Sequence, residues 1–427
     1  MFKRRTAMKW VHLGKPFLLH LYRTSAFGPI GVCAYIASFA VPLELGWDIP
    51  LTALALIGIL ATVTSFKKSP AAGSPFVLPA LVFLGATGLS ILVSEDFGRS
   101  LRLSAPLVPA ALLFFLIAEH FDSIQDTRLL YLTFSLVGLG LACMLLWAAW
   151  KNGKVEPDVW VSNVRSPILL VKNDVTFLAV VAPLSLVLAY REPRSVVGIL
   201  ALLSVLLSVC VVGIFQSRIA MLTMVTSITF AAALVRPRLG LICGLTIPIL
   251  ILLIDASLGF PLVARFGRHW EGSGRIPLWL AAWAMFLHAP LLGHGAHTFV
   301  LFYGSYLQRL SLPPWFFTDP RVVPWAHNLY LEVLAEQGII GLMALGFVLA
   351  RGVSSARSIQ RVASSETRIF GAGAVAGLVS FCLAGMFELT LLRQWVVIIM
   401  FTLLGVIAQL SSSSHVKHSI EPQTQNR

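Results

Sequence analysis

His327 opens the run HNLYLEVLAEQGIIGL, and Asn328, Glu332 and Glu336 follow at i, i+4 spacing, so on a helix one amide and two carboxylates share a stripe. A neutral imidazole acts as a general base when a carboxylate or carbonyl orients it. The blander alternative is a boundary histidine at a helix mouth. Arg218 lies between an apolar run ending in Phe215 and another beginning at Ile219, with only Gln216 and Ser217 to turn the chain. An arginine at a helix start opposes the helix dipole, which favours anions there. Two readings stand: a snorkelling side chain that marks an apolar boundary, or a guanidinium fixed to grip phosphate oxygens in pairs. Arg275 precedes Trp279 by four residues, a spacing that lets the indole stack on the guanidinium; an ordinary loop arginine is the alternative. Together these residues offer a proton acceptor and fixed positive charge, as an anionic headgroup or a pyrophosphate requires.

The elements that carry them are membrane spans. Of 427 residues 57% are apolar and 12% charged, and the mean hydropathy is +0.84, a balance whose natural solvent is a bilayer. The apolar runs approach the roughly 20 residues that a helix needs to cross, and they do not alternate as barrel strands must. Hydropathy places spans at 27 to 45, 49 to 66, 76 to 93, 103 to 118, 129 to 150, 175 to 190, 196 to 215, 219 to 235, 239 to 256, 328 to 350, 369 to 387 and 395 to 410. The expectation is therefore an all-α integral membrane protein of about twelve spans. Residues 1–26 form a basic cytoplasmic N-terminus, 27–256 hold the first nine spans, 257–327 form a large outer loop, 328–410 hold the last three spans, and 411–427 form a disordered cytoplasmic tail. The first apolar run ends without a small-residue cleavage site and reads as a retained span. All five cysteines fall in apolar runs, so no disulfide and no thiolate metal site are expected. Glu332 and Glu336 then lie within a span, where carboxylates are costly, and point to a polar cavity in the bundle.

Both termini inside gives the cytoplasmic segments 19 of the 32 basic residues against 6 acids, so they hold the whole +13 excess. Thirteen basic residues remain outside, against that rule: Arg99, Arg102, Lys151, Lys154, Arg165, Lys172, Arg218, Arg265, Arg268, Arg275, Arg309, Arg321 and Arg393. Arg265, Arg268, His269 and Arg275 cluster with Glu271 as the only acid among them. Charge spread along short loops, with no basic-aromatic domain, argues against nucleic acid. The 257–327 loop is punctuated by proline and glycine, and Pro277 suits the first turn of a short helix near 277 to 290, read as a lid along the membrane surface. Trp315, Phe316, Phe317 and Trp325 belong at headgroup depth or against a sugar. The chain has no GxxxxGK[ST] loop, no HExxH and no GxSxG.

The run HNLYLEVLAEQGIIGL, preceded by GRIPLWLAAWAMFLHAPLLGHGAHTF and by Ser217 and Arg218, resembles the O-antigen ligase and polymerase superfamily of bacterial envelope glycosyltransferases over roughly residues 160 to 350. The resemblance implies a C-type glycosyltransferase architecture in the bacterial inner membrane, with its active site facing the periplasm and with no metal or cofactor. It implies transfer of a glycan from undecaprenyl pyrophosphate, with Arg218 and Arg275 holding pyrophosphate and His327 activating the acceptor hydroxyl. Arg165, Lys172, Arg265, Arg268, Trp279, His294, Asn328, Glu332 and Glu336 are the further candidates for substrate contact. His294 and His297 stand where the family usually has small or apolar residues. The leading expectation is a ligase acting on lipid A-core, since the chain ends 17 residues after its last span at 410. The alternatives are a polymerase, a protein O-oligosaccharyltransferase, or a flippase of lipid-linked sugars. Glu332, Glu336 and Glu388, all toward the outer half of their spans, favour a one-sided site over alternating access.

Overall fold

The computed structural model describes residues 29–40, 74–121, 123–153, 157–164, 166, 168–169, 171–259, 274–313, 316 and 322–420. Among them the regular structure is entirely helical: α1 (Pro29–Ala40), α2 (Val77–Leu92), α3 (Phe97–Ser104), α4 (Leu107–His120), α5 (Ile124–Asn152), α6 (Pro157–Ser162), a 3-10 turn (Lys172–Val175), α7 (Thr176–Arg191), α8 (Val196–Phe215), α9 (Arg218–Val235), α10 (Pro237–Ser257), α11 (Arg275–His288), α12 (Phe299–Arg309), α13 (Leu329–Val362), α14 (Ser365–Gly385) and α15 (Gln394–Ile420). Nine stretches among the described residues are long and apolar enough to cross a membrane, and α2 is a shorter apolar helix. The chain is an all-helical, multi-pass integral membrane protein.

Helices occupy eleven of the twelve expected stretches, and the one at 49 to 66 lies outside the described residues. Polar caps fix their starts. Ser123 and Asp126 form a reciprocal capping box at α5, Ser195 accepts the Gly198 N–H at α8, and Ser217 accepts the Ala220 N–H at α9. The bundle centre is α15, whose spanning stretch is 94% buried, whereas only 22% of that in α10 is buried. Leu241, Ile242, Leu245, Ile249, Leu252 and Leu253 of α10 are exposed and meet lipid. Small hydroxyls tie neighbouring helices: Ser227 and Ser380 both donate to the Ala179 carbonyl, and Ser135 bonds Ser185.

Four features differ from the sequence expectation. Pro106 divides the fourth expected span, leaving α3 as a separate amphipathic turn ahead of α4. The outer loop holds a second helix, α12, beside the expected one at α11. The last helix continues to Ile420, past the expected end of its span at 410, because adding a turn to an existing helix avoids the cost of nucleation. The fourth concerns α13, expected as a continuous span.

At Gly338 the backbone adopts φ 65° and ψ −166°, which breaks the helix. Residues 290 to 299 fill the gap: Ile339 N–H donates to Pro290 O at 2.9 Å, and Gly295 N–H donates back to Glu336 O at 2.9 Å. From α2, Ser90 donates to the same Glu336 carbonyl at 2.8 Å, and Thr87 bonds the Gln337 side chain. Thus backbone groups freed inside the membrane are re-satisfied by the PLLGHGAHTF segment. A Cβ at Gly338 would sit 2.3 Å from the Leu291 carbonyl carbon, and one at Gly293 would sit 2.2 Å from that of Glu336. Glycine is required on both sides of this contact.

Candidate active site

Chain alternation puts the ends of α5, α8, α10 and α14 and the starts of α7, α9, α13 and α15 at one face of the bundle. The opposite face holds the pairs Arg128–Glu192 and Arg191–Glu366. A cavity of about 420 Å³ opens there, lined by all four, with each guanidinium matched by a carboxylate. The first face carries the candidate residues.

Asn328 caps α13 by accepting the N–H groups of Tyr330 and Leu331, both at 3.0 Å. His327, immediately before it, is held in the left-handed region at φ 53°, an uncommon conformation for a side-chain-bearing residue. This turns the imidazole toward Glu388, whose Oε1 lies 3.2 Å from His327 Nδ1. The other oxygen, Oε2, accepts from Arg275 Nη2 at 2.5 Å. Glu388 is 7% exposed, while His327 and Arg275 keep 20% and 25% of their side chains accessible. A single buried carboxylate therefore joins the expected base to one expected cation. Among the described residues His327 Nε2 has no hydrogen-bond partner, since both contacts of the ring are on Nδ1.

The remaining expected residues divide by position. Trp279 does not form a cation–π contact with Arg275 among the described residues. Arg275 pairs with Glu388 instead, and the indole donates to Ala326 O at 3.1 Å and lies against Phe387. Glu332 accepts the Ala326 N–H at 3.1 Å and the Thr390 hydroxyl, tying the segment before His327 to the segment after Glu388. Glu336 accepts the N–H groups of His297 and Phe299, both at 2.8 Å. This corrects the expected polar cavity along the stripe: both carboxylates are buried, and their oxygens bind loop groups that would otherwise lack partners.

His294 is buried, with Nε2 3.2 Å from Met285 O and 3.3 Å from the Tyr306 hydroxyl, and its ring stacks on His288. Burial and the neighbouring His288 lower its pKa, against opposing contributions from the Met285 carbonyl and Glu95. His297 sits in the loop that fills the α13 break, where burial pushes its pKa down to about 4 and keeps it neutral. Lys172 pairs with Asp158 at 3.3 Å in a half-exposed contact. Arg218 is exposed at the head of α9, which packs on α14, the helix leading to Glu388. Arg165, Arg265 and Arg268, with the aromatics Trp315 and Phe317, lie outside the described residues.

Residues that the sequence reading did not assign to the site complete it. Glu388 is the foremost. Trp325, considered only for sugar or membrane contact, donates its indole N–H toward His327 Nδ1 at 3.1 Å. Arg393 lies 5.2 Å over the Trp325 ring and pairs with Asp174. Only the acidity of Glu388 and the outer position of Arg393 were visible without the fold.

A carboxylate, an imidazole and an arginine at the mouth of a helical bundle can accept a proton, stabilise the resulting imidazolium and place positive charge nearby. Among curated proteins no match to this chain is found. A family model described as O-antigen ligase matches residues 124–346, a stretch that contains Arg218, Arg275, His327 and the α13 break. Because that match covers just over half of the 427 residues, the chain belongs to the O-antigen ligase family of glycosyl-transferring membrane enzymes.

Proposed function

We propose that this protein is an O-antigen ligase that joins a glycan from undecaprenyl pyrophosphate to a hydroxyl of lipid A-core at the periplasmic face of the bacterial inner membrane. The observation that carries this reading is the His327–Glu388–Arg275 array. As the acceptor oxygen attacks the anomeric carbon, its proton passes to His327 Nε2. The bond from that carbon to the pyrophosphate oxygen breaks, and the electron pair leaves with pyrophosphate. Glu388 accepts from Nδ1–H and stabilises the imidazolium. Arg275 and Arg218 hold the departing charge, so fixed guanidinium groups do the electrostatic work without a metal. Attack opposite the leaving group inverts the anomeric centre.

Arg165, Lys172, Arg265 and Arg268 are proposed to draw the anionic donor to this face. Trp279, Glu332 and Glu336 serve the substrate through the loops they hold, and Asn328 through the helix start that it caps, since their hydrogen bonds end on the protein itself. His294 is proposed to do the same through Met285 and Tyr306.

The test is deletion of the gene in its host followed by glycan analysis. A ligase mutant keeps long polymer on the undecaprenyl carrier and loses the lipopolysaccharide ladder. Core bearing a single repeat identifies a polymerase instead, and unpolymerised carrier trapped inside identifies a flippase. Complementation with His327→Ala, Arg218→Ala or Arg275→Ala should fail while each protein reaches the membrane. Removing the base should lower transfer by about 10² to 10⁴. Wild-type transfer by any variant removes that residue from the mechanism.

A further inference from the structure

Two groups converge on one nitrogen. The Trp325 indole N–H reaches His327 Nδ1 at 3.1 Å, and Glu388 Oε1 lies 3.2 Å from the same atom. Nδ1 accepts the indole bond only without a proton, and it donates to the carboxylate only with one. The two contacts therefore belong to different tautomers. With the proton on Nδ1, Nε2 holds the lone pair and can take a proton from an acceptor. With the indole bonded, the neutral ring carries its proton on Nε2 and cannot.

The indole is firmly held. Arg393 lies over its face, and its guanidinium pairs with Asp174. Asp174 in turn accepts the Val171 N–H at 2.9 Å and the Trp395 indole at 3.4 Å. The Arg393 and Asp174 side chains are 11% and 6% exposed, so this clamp sits away from solvent, where losing either partner is costly. The Trp325 and His327 rings themselves lie 5.4 Å apart.

We infer that Trp325, clamped by Arg393 and Asp174, is a positioning residue that sets the tautomer of His327, holding the resting imidazole with its proton on Nε2 until Glu388 claims Nδ1. The exchange passes one proton from Nε2 to water and takes one from water onto Nδ1, leaving the ring neutral. Glu388 is restrained meanwhile by Arg275, through its other oxygen. When that guanidinium turns to an anionic donor, Glu388 keeps the imidazole as its partner and its undivided charge favours the proton on Nδ1, so the base becomes competent as the donor binds. The charged groups around the ring are Glu388 beyond α14, Arg275 of α11 behind it, Glu332 of α13 through the Ala326 N–H, and Arg393 with Asp174 behind the indole.

The inference rests on His327 being the base, and its test keeps the two claims apart. Full-length protein in liposomes is assayed for transfer from undecaprenyl-pyrophosphate-linked O-antigen to lipid A-core across pH. The indole bond favours the unprotonated Nδ1, so its loss lets the ring take a proton more readily. The acid limb of kcat/KM should then move to higher pH by about 0.5 to 1 unit, the worth of one neutral hydrogen bond. Glu388→Gln removes the charge that favours the imidazolium and should move the same limb to lower pH. Trp325→Phe removes the N–H, and benzothienylalanine at Trp325 removes it without changing the ring's size, so a folding defect in the first leaves the second as the test. An unmoved limb, or one moved to lower pH, with the benzothienyl side chain overturns the inference. If His327→Ala retains transfer, the base assignment falls as well.

Discussion

At the scale of residues, the site is organised by a carboxylate that neither of its partners could identify from sequence. Glu388 stands 61 positions from His327 and 113 from Arg275, and only the packed ends of α11, α13 and α14 bring the three together. The stripe of Asn328, Glu332 and Glu336 was legible as a stripe, and Asn328 caps its own helix, but Glu332 and Glu336 were not legible as clasps for loop N–H groups, because those partners come from segments with no helical period. Glu388→Gln should retain the shape of the site and lower kcat/KM about 10- to 100-fold, the worth of a charge-assisted hydrogen bond, in the liposome transfer assay. A rate within twofold of wild type would leave Glu388 as a structural partner of Arg275 alone.

At the scale of elements, hydropathy gives spans and misses what interrupts them. Residues 328 to 350 read as one apolar segment, and Gly338 is as compatible with a helix interior as with a break. The deciding information lies in PLLGHGAHTF, whose glycines allow two backbones to touch. Gly338→Ala would have to hold φ 65° and ψ −166°, a region essentially confined to glycine, while placing a methyl against Leu291. The expected cost is at least about 1 to 3 kcal/mol. Thermal unfolding of the detergent-solubilised protein measures it, and an unchanged midpoint would show that the break does not depend on glycine. The helix α12 escaped notice for a related reason: its run FVLFYGSYLQR is too short for a span, and its partners belong to α11 and α13.

At the scale of the whole molecule, composition and charge were sufficient to identify the solvent and to propose an orientation. The positive excess expected in the cytoplasm would place there the face that carries Arg128, Arg191 and their carboxylate partners, opposite His327. Cysteines introduced at exposed Ser305 in α12 and at exposed Ser365 at the start of α14 should therefore differ in intact spheroplasts. An impermeant maleimide should label the first and spare the second, and the reverse pattern would invert the proposed orientation. Cysteines already in the chain lie within helices, so the parent protein serves as the background control.

The break in α13 also bears on the order in which the protein is made. Residues 290 to 299 leave the ribosome before Glu332 and Glu336, and carboxylates within a span are costly to insert even in its outer half. The loop that accommodates Glu336 is thus already synthesised when α13 arrives, and so is the Ala326 N–H that meets Glu332. Partitioning of α13 from the insertion machinery is then expected to be a joint event of helix and preceding loop, with the acidic stripe entering lipid already engaged.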